Sequence, residues 1–395
     1  MELRFQGDEA HTHLTLLILG CFPLLAWLDL LLLHGRFWQV GRLLPDEAPP
    51  MTPAGSVAVV IPARNEAETI GPAVRSLLAQ TYGDTLRIFV VDDHSFDNTA
   101  ELARTAAVGH ASQLTVILGK TLPPGWTGKL WAVQQGIEAA LSHSPSFLLL
   151  TDADVEHAPG NLATLVSIAE RDGYGMVSFM VKLHCRGLAE KLLIPAFVFF
   201  FFMLYPPLWI RSPRKRTAGA AGGCMLVRPE ALERVGGISA IRSEIIDDCA
   251  LAQRIKQSGG RVWLGMTATT HSLRNYGTFG EIERMIARTA FNQLRHSAAL
   301  LVGAVVGMAL IFLLPPVLLL SGNEPLIALG LAAYGLMAVT YFPMVRFYGL
   351  SPGWALTLPV SALFYIAATL DSALKFWSGR GGEWKGRSQD RIPRM

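Results

Sequence analysis

Between Ser56 and about Met180 the chain alternates short apolar runs with segments of helical spacing. The runs VAVVIP (Val57–Pro62), LRIFVVDD (Leu86–Asp93) and SFLLLTDAD (Ser146–Asp154) are short and mainly apolar and end on Pro or Asp. Ala67–Gln80, Asn98–Ala107 and Leu130–Ser142 place apolar residues at three- and four-residue intervals. Strands buried on both faces read as unbroken apolar runs, and helices between them close parallel crossovers, so the pattern predicts a mainly parallel α/β sheet. Ligands of such sheets gather at the carboxyl ends of the strands. The Pro62–Glu66 stretch, Asp92–Asp93 and Asp152–Asp154 each close a predicted strand.

A second class of apolar run is too long for a strand. Leu14–Leu33 is interrupted only by Asp29, and about 20 helical residues cross a hydrocarbon core of about 30 Å. The preceding Met1–His13 holds one Arg against three acids and no small-residue cleavage site follows, so the segment is expected to be an anchor rather than a removable signal. Basic residues in His34–Arg42 place the following linker (Pro45, Pro49, Pro50, Pro53) in the cytoplasm. Leu192–Ile210 has the hydropathy of a span. If Asp152–Asp154 and Asp247–Asp248 serve one site, however, crossing would separate them, and Pro195, Pro206 and Pro207 suit a broken, interfacial path ahead of the basic run Arg211, Arg214, Lys215 and Arg216. Glu281–Ser297 is amphipathic, with Ile282, Met285, Ile286, Ala290 and Leu294 opposite Arg284, Arg288 and Arg295. Ala298–Leu320, Pro325–Val345 and Trp354–Leu370 are three further candidate spans. Three crossings would put the basic tail (Lys375, Arg380, Lys385, Arg387, Arg391, Arg394) outside, against the positive-inside tendency.

Composition supports a membrane protein: 51% hydrophobic and 16% charged residues over 395 positions, with a mean hydropathy of +0.35. The net charge of +3 is too slight a bias for nucleic acid. Cys21, Cys185, Cys224 and Cys249 form no CxxC pair, which argues against a disulfide framework or a zinc site. Gly128-Lys129 is followed by Leu130 and lacks the earlier Gly of a P-loop, and no GxGxxG follows the first strand. A transporter would need more spans with polar residues at mid-membrane.

The acids carry the candidate chemistry. Asp152-Ala153-Asp154 puts two carboxylates on one side of an extended backbone, suited to Mg²⁺ or Mn²⁺ held through carboxylate, phosphate and water. Alone, the triplet is equally a pair of solvated loop acids. Asp92-Asp93 ends the preceding strand, where a carboxylate can accept hydrogen bonds from a nucleobase or ribose, with His94, Ser95 and Asp97 leading into a helix. Asp247-Asp248 precedes the helical stretch CALAQRIKQSG, where it serves either as helix cap or as a base that takes a proton from an attacking hydroxyl. Gly222-Gly223-Cys224 allows close approach to the backbone before the strand CMLVR, or is simply a tight loop.

Together, VVIPARNE, VVDDHSFDNTA, LLLTDAD and GGCMLVRPEALERVGG…IIDDCALAQRIKQSG resemble the family 2 glycosyltransferases. LPPGWTGKLWAVQQG, RTAFNQLRHS and the apolar segments narrow the resemblance to the hopanoid-associated HpnB-type branch, related to ceramide glucosyltransferases. It covers roughly Ser56–Ser297. The resemblance implies a GT-A-type nucleotide-sugar domain with N- and C-terminal membrane helices: an anchor at 1–34, a linker at 35–55, a cytoplasmic domain at 56–297 with an interfacial segment at 187–210 and an amphipathic helix at 281–297, a membrane bundle at 298–377 and a basic tail at 378–395. It further implies that Pro62, Arg64, Glu66, Asp92 and Asp93 line the nucleotide pocket and that Lys129 approaches the nucleotide or its phosphates. Asp154, helped by Asp152, would hold a divalent metal. Asp248, with Asp247 beside it, would be the base of an inverting displacement. Asn292-Gln293-Leu294-Arg295-His296 stands where relatives carry Gln-x-x-Arg-Trp, so Arg295 keeps the charge that neutralises the leaving group while the Trp is replaced. Trp384-Lys385-Gly386-Arg387 resembles a WKGR element near the end of related membrane transferases. The expected reaction is transfer from a UDP-sugar to a membrane lipid, a hopanoid or sphingolipid-like alcohol, at the cytoplasmic face of a bacterial inner membrane. A processive polysaccharide synthase is the alternative within the superfamily; the altered Gln-x-x-Arg-Trp and the three C-terminal spans argue against it.

Overall fold

The computed structural model describes residues 2–45, 55–82, 86–379, 383–384 and 387–388, with side chains described from residue 17. Pro49, Pro50 and Pro53 of the linker, and Arg380, Lys385, Gly386, Arg391 and Arg394 of the tail, lie outside the described residues. The chain divides into two compact units. One comprises Gly41–His184, Pro207–Asn275 and Lys375–Met395; the other comprises Met1–Val40, Cys185–Pro206 and Tyr276–Leu374.

The first unit is built on eight strands: β1 (Val57–Ala63), β2 (Leu86–Asp92), β3 (Leu114–Leu118), β4 (Phe147–Thr151), β5 (Val155–Glu156), β6 (Met176–Lys182), β7 (Cys224–Val227) and β8 (Val262–Ser272), in the order β3-β2-β1-β4-β7-β6-β8-β5. The three apolar runs singled out in the sequence are β1, β2 and β4, and they lie next to one another in parallel. Their side chains are buried on both faces apart from the exposed Arg87 near the start of β2, which is why the runs are otherwise apolar up to their ends. Four of the seven pairings are parallel, while β7 runs antiparallel to both β4 and β6 and β5 runs antiparallel to β8. β3 lies at the sheet edge, half-buried, so its apolar signal is weak. The predicted helices form as Ile70–Leu78, Thr99–Ala106 and Gly128–Leu141.

The helix Gly128–Leu141 lies close on the sheet at Gly136. A Cβ there would stand 2.4 Å from Val60 Cγ1 and 3.1 Å from Val91 Cγ2. Since branched side chains of β1 and β2 cannot recede from a packed core, Gly136→Ala is expected to destabilise this unit by about 1–3 kcal/mol despite its better helix propensity. Thermal melting followed by tryptophan fluorescence checks it.

The second unit is helical. Among the described residues four helical stretches are long and apolar enough to cross a membrane, Leu188–Arg211, Ala298–Leu318, Glu324–Phe347 and Pro352–Trp377, with Leu17–Leu32 a shorter apolar stretch of the helix Glu2–Leu32. The π-helical turn Ala309–Leu313 precedes Pro315 and Pro316. Pro315 has no N–H for the carbonyl of Ile311, and the indole Nε1 of the buried Trp27 donates to that oxygen at 2.9 Å. The run Leu192–Ile210 is broken at Pro206 and Pro207, where the helix Leu188–Leu204 has ended and Pro207–Arg211 begins a separate turn that belongs to the first unit, whereas Pro195 is accommodated inside the helix.

Two expectations are corrected. Glu281–Ser297 is not one helix: a Thr278/Glu281 capping box starts Phe279–Ala287, a short helix Ala290–Gln293 follows, and Arg295 and His296 turn left-handed at φ 53° and 55°. The Ser372 hydroxyl donates to Ala287 O and accepts from Phe291 N, satisfying backbone groups that a continuous helix would have paired with each other. The second correction concerns the carboxylate triplet. Asp152 to Asp154 form a turn between β4 and β5, not an extended segment.

Candidate active site

The site is assembled at the carboxyl ends of β1, β2 and β4. The loop after β1 is zipped to the loop after β2 by side-chain to backbone bonds: Asn65 N donates to Ser95 Oγ at 3.0 Å, Phe96 N to Asn65 Oδ1 at 2.8 Å, Glu66 N to Thr99 Oγ1 at 2.9 Å and Ala67 N to Asp97 Oδ2 at 3.1 Å. Asn65 and His94 take left-handed backbone at φ 51° and 55°, which turns both loops sharply enough to face each other. Asp92 accepts from Ser95 N at 3.1 Å and from the Ser95 hydroxyl. Arg64 donates to the backbone carbonyl of Asp93 and stands 3.7 Å from the Asp93 carboxylate, itself 2% exposed. Asp92, Asp93 and Arg64 are thus buried and fasten this end of the site.

At the ends of β1 and β4, Pro62 and Thr151 line a small cleft together with Lys129, Asp152, Gly222 and Asp247. Thr127 caps the helix that begins at Gly128 by accepting from Leu130 N, so Lys129 projects from its first turn. Its ammonium lies 3.1 Å from Asp152 Oδ1 and 3.2 Å from Asp247 Oδ2. Burial alone would favour the neutral amine, but the carboxylates of Asp152, Asp247 and Asp248 outweigh it and hold Lys129 charged. Burial pushes the Asp152 carboxyl up against the opposing pull of Lys129, with Asp154 and Asp247 adding to the rise.

Asp247 and Asp248 occupy the first turn of the helix Asp247–Gln257. Asp248 Oδ2 accepts from Gly222 N at 2.8 Å and Oδ1 from Cys249 N at 2.7 Å. Burial, then the neighbouring Asp247, raise its carboxyl to about 6 although Lys129 and the two backbone amides oppose them. A carboxylate with one accepted bond per oxygen keeps lone pairs for a proton, and a value near 6 makes it an effective base at neutral pH. Gly222 allows this approach, since a Cβ there would stand 3.3 Å from Asp248 Oδ2.

Three features escaped the sequence reading. The first is Arg274, just beyond β8, whose Nε donates to Asp154 Oδ2 at 2.9 Å and whose Nη2 lies 3.0 Å from Glu66 Oε1. A cation next to the end of a strand was its only signal. The second is a buried polar chain: Asn161 Nδ2 lies 3.0 Å from His157 Nδ1, His157 Nε2 2.9 Å from Thr151 Oγ1, and Thr151 donates to Gly223 O at 2.7 Å. Burial depresses His157 to about 3, so the imidazole is neutral and orders this chain behind the glycines that hold Asp248. The third is Lys256, whose ammonium donates to the carbonyls of Trp209, Ile210 and Thr217 at 3.0, 2.6 and 2.7 Å and so secures the chain where it re-enters this unit.

Of the predicted residues, Pro62, Arg64, Glu66, Asp92, Asp93, Lys129, Asp152, Asp154, Asp247 and Asp248 all belong to the α/β unit. Arg295 does not: it lies in the helical unit, in the left-handed turn after Ala290–Gln293. Among the described residues no group of three or more His, Cys, Asp or Glu side chains could hold a metal by itself. Glu66, Asp152, Asp154 and Asp247 nevertheless share two cations among the described residues, Lys129 between Asp152 and Asp247 and Arg274 between Glu66 and Asp154, so acids outnumber these partners. An anionic diphosphate would enter such a cleft only with a cation, and hard carboxylate oxygens suit Mg²⁺ or Mn²⁺, which take one or two protein ligands and complete their shell with phosphate and water.

Residues 58–236 match the family model for glycosyl transferase family 2. An uncharacterized protein of Methanocaldococcus jannaschii is 32% identical over 120 residues, which span 30% of this chain and 44% of that protein, less than two thirds of its length. Among solved structures, the chain is similar to a mannosyltransferase of Pyrobaculum calidifontis in complex with GDP-Man and Mn²⁺, at 20% identity and a TM-score of 0.48, covering 92% of this chain and 91% of that one. It is also similar to glucosyl-3-phosphoglycerate synthase of Mycobacterium tuberculosis in complex with Mn²⁺, UDP-glucose and phosphoglyceric acid, at 18% identity and a TM-score of 0.40, covering 61% and 79%. The acids that close β1, β2 and β4 all fall inside the matched span, so the stretch that carries them is similar to glycosyl transferase family 2.

Proposed function

We propose that this chain is an inverting, metal-dependent glycosyltransferase that moves a sugar from a nucleoside-diphosphate sugar, with UDP as the expected nucleotide, to the hydroxyl of a membrane lipid. The observation that carries the reading is Asp248: a carboxylate fixed by two backbone amides, raised to about 6, and near enough to Lys129, the partner of Asp152, for the two charges to act on each other. The acceptor hydroxyl gives its proton to Asp248 as its oxygen bonds to the anomeric carbon; the bond from that carbon to the diphosphate breaks, and its electron pair leaves with the nucleotide. Asp154 and Asp152 would hold the divalent cation, which offsets the charge of the departing diphosphate. Lys129 keeps Asp152 and Asp247 apart at a fixed spacing, while Arg64 with Asp92 and Asp93 shapes the nucleotide end.

The apolar helices support a lipid acceptor and a membrane location, and the resemblance to the hopanoid-associated branch suggests a hopanoid or sphingolipid-like alcohol at the cytoplasmic face of a bacterial inner membrane. Connectivity adds a constraint. The chain leaves the α/β unit at Cys185 and returns at Pro207, and leaves again at Tyr276 and returns at Lys375. A unit that lies on one side of a bilayer requires an even number of crossings in each excursion. On that reading Leu188–Leu204 stays on the near side and two of the three later helices cross.

The test is incubation of the purified full chain with UDP- and GDP-sugars and extracted lipids, with Mg²⁺ or Mn²⁺ or with chelator. Metal-dependent transfer to lipid is expected, and Asp154→Ala should weaken metal-dependent donor binding at least tenfold. Hydrolysis or transfer unaffected by chelator would remove the metal from the reading.

A further inference from the structure

Arg274 occupies an unusual position for a cation in a cleft proposed to receive one. Strand β8 brings it there through the backbone: Ser272 pairs with Val155, His271 with Glu156, and Leu273 N donates to Asp154 O at 2.7 Å. The guanidinium then bridges two loops, with Nε on Asp154 Oδ2 at 2.9 Å and Nη2 on Glu66 Oε1 at 3.0 Å and Oε2 at 3.4 Å. Its side chain is 36% exposed whereas those of Asp154 and Glu66 are 15% and 13% exposed. The two acids are the fixed partners and the arginine is the member open to solvent.

Resting on the nucleotide-sugar reading above, we infer that Arg274 is a diphosphate-binding residue that, before the donor arrives, stands in for the cation at Asp154. With the site empty of donor it neutralises Asp154 and Glu66, which would otherwise repel one another across the cleft. On donor binding the guanidinium leaves Asp154 for the phosphate oxygens, which match its fork of donors better than two carboxylates on separate loops do. Asp154 is thereby released as a metal ligand at the moment the diphosphate supplies Arg274 with a new anion. Metal and nucleotide are coupled as a result. Metal alone must displace the guanidinium without giving it a partner, so it binds poorly; metal with nucleotide binds well. Lys129 cannot play this part, because Asp152 and Asp247 hold it deeper, with 21% of its side chain exposed.

Direct binding measurements on the full chain in detergent test this, using Mn²⁺ alone followed by electron paramagnetic resonance, and then UDP and GDP in turn at saturating Mn²⁺ by calorimetry. Arg274→Met is expected to tighten Mn²⁺ alone and to weaken nucleotide, each by about tenfold, the size of one charge-assisted contact. Arg274→Lys, which keeps a charge but cannot bridge both acids, should shift both in the same directions by less, and it supplies the comparison if the methionine variant fails to fold. The inference is overturned if Arg274→Met leaves both affinities unchanged, which would make the bridge a surface ion pair. It is equally overturned if the variant weakens both, which would make Arg274 a scaffold of the metal site. A wild-type chain that binds neither nucleotide at any Mn²⁺ concentration overturns instead the nucleotide-sugar reading on which the inference rests, so the two failures are distinguishable.

Discussion

Asp248→Asn is expected to lower sugar transfer by about 10³-fold while leaving the affinity for Mn²⁺ and nucleotide within about threefold of wild type, the behaviour of a lost general base. The amide keeps the size of the side chain and one acceptor for Gly222 N or Cys249 N, but it cannot take a proton. Single-turnover transfer with radiolabelled donor, alongside nucleotide binding, separates the two effects; a variant that turns over at the wild-type rate would remove Asp248 from the chemistry. The same residue dictates the pH profile. Burial and Asp247 raise the Asp248 carboxyl to about 6, and a base acts only when deprotonated. The wild-type rate should therefore hold above that value and fall about tenfold per unit below it. A profile flat down to pH 5 would contradict the assignment.

Lys129→Met is expected to be the most destabilising single change in the site. Lys129 contacts Asp152 and Asp247 at 3.1 and 3.2 Å, and its charge also favours the ionised form of Asp248. Removing it leaves three carboxylates facing one another in a partly buried cleft, and breaking such a pair costs about 3 kcal/mol. The sign of the pH effect follows from the acids left behind. The carboxyls of Asp152 and Asp248, already raised by burial, rise further in the folded variant, so the deficit is largest near neutral pH and shrinks as pH falls and protonation relieves the repulsion. Thermal melts of Lys129→Met and wild type at pH 7.5 and pH 5.5 measure it. An equal drop at both values would show that the cost lies in lost packing rather than in uncompensated charge.

Both predictions concern residues visible in the linear chain, yet their relation is not. Asp152 and Asp248 are each legible as an acid at an element boundary, because buried parallel strands must be apolar and their first polar residue marks the carboxyl end. Lys129 was expected to approach the nucleotide or its phosphates, and its actual partners are Asp152 and Asp247, residues from two other elements. Arg274 was invisible for the same reason: strand β8 has a mixed pattern, fully buried at Val262–Thr267 and partly exposed beyond, so neither the strand nor the significance of the cation at its end stood out. Glu281–Ser297 has an amphipathic pattern that does not reveal the break, since the Ser372 hydroxyl that takes over its backbone groups comes from a distant helix.

What the sequence determined by itself is the alternation of buried strands and helices, the placing of acids at strand ends, and the apolar segments flanking them. Each follows from local rules: periodicity, capping, and the length of helix a membrane demands. The tertiary structure alone decided which charges face each other. Arg274 meets Asp154 and Glu66, Lys129 divides Asp152 from Asp247, and Gly222 presents its amide to Asp248. Charge pairing depends on distances of a few ångströms between segments far apart in the chain, and those distances exist only once the sheet has set the strand order.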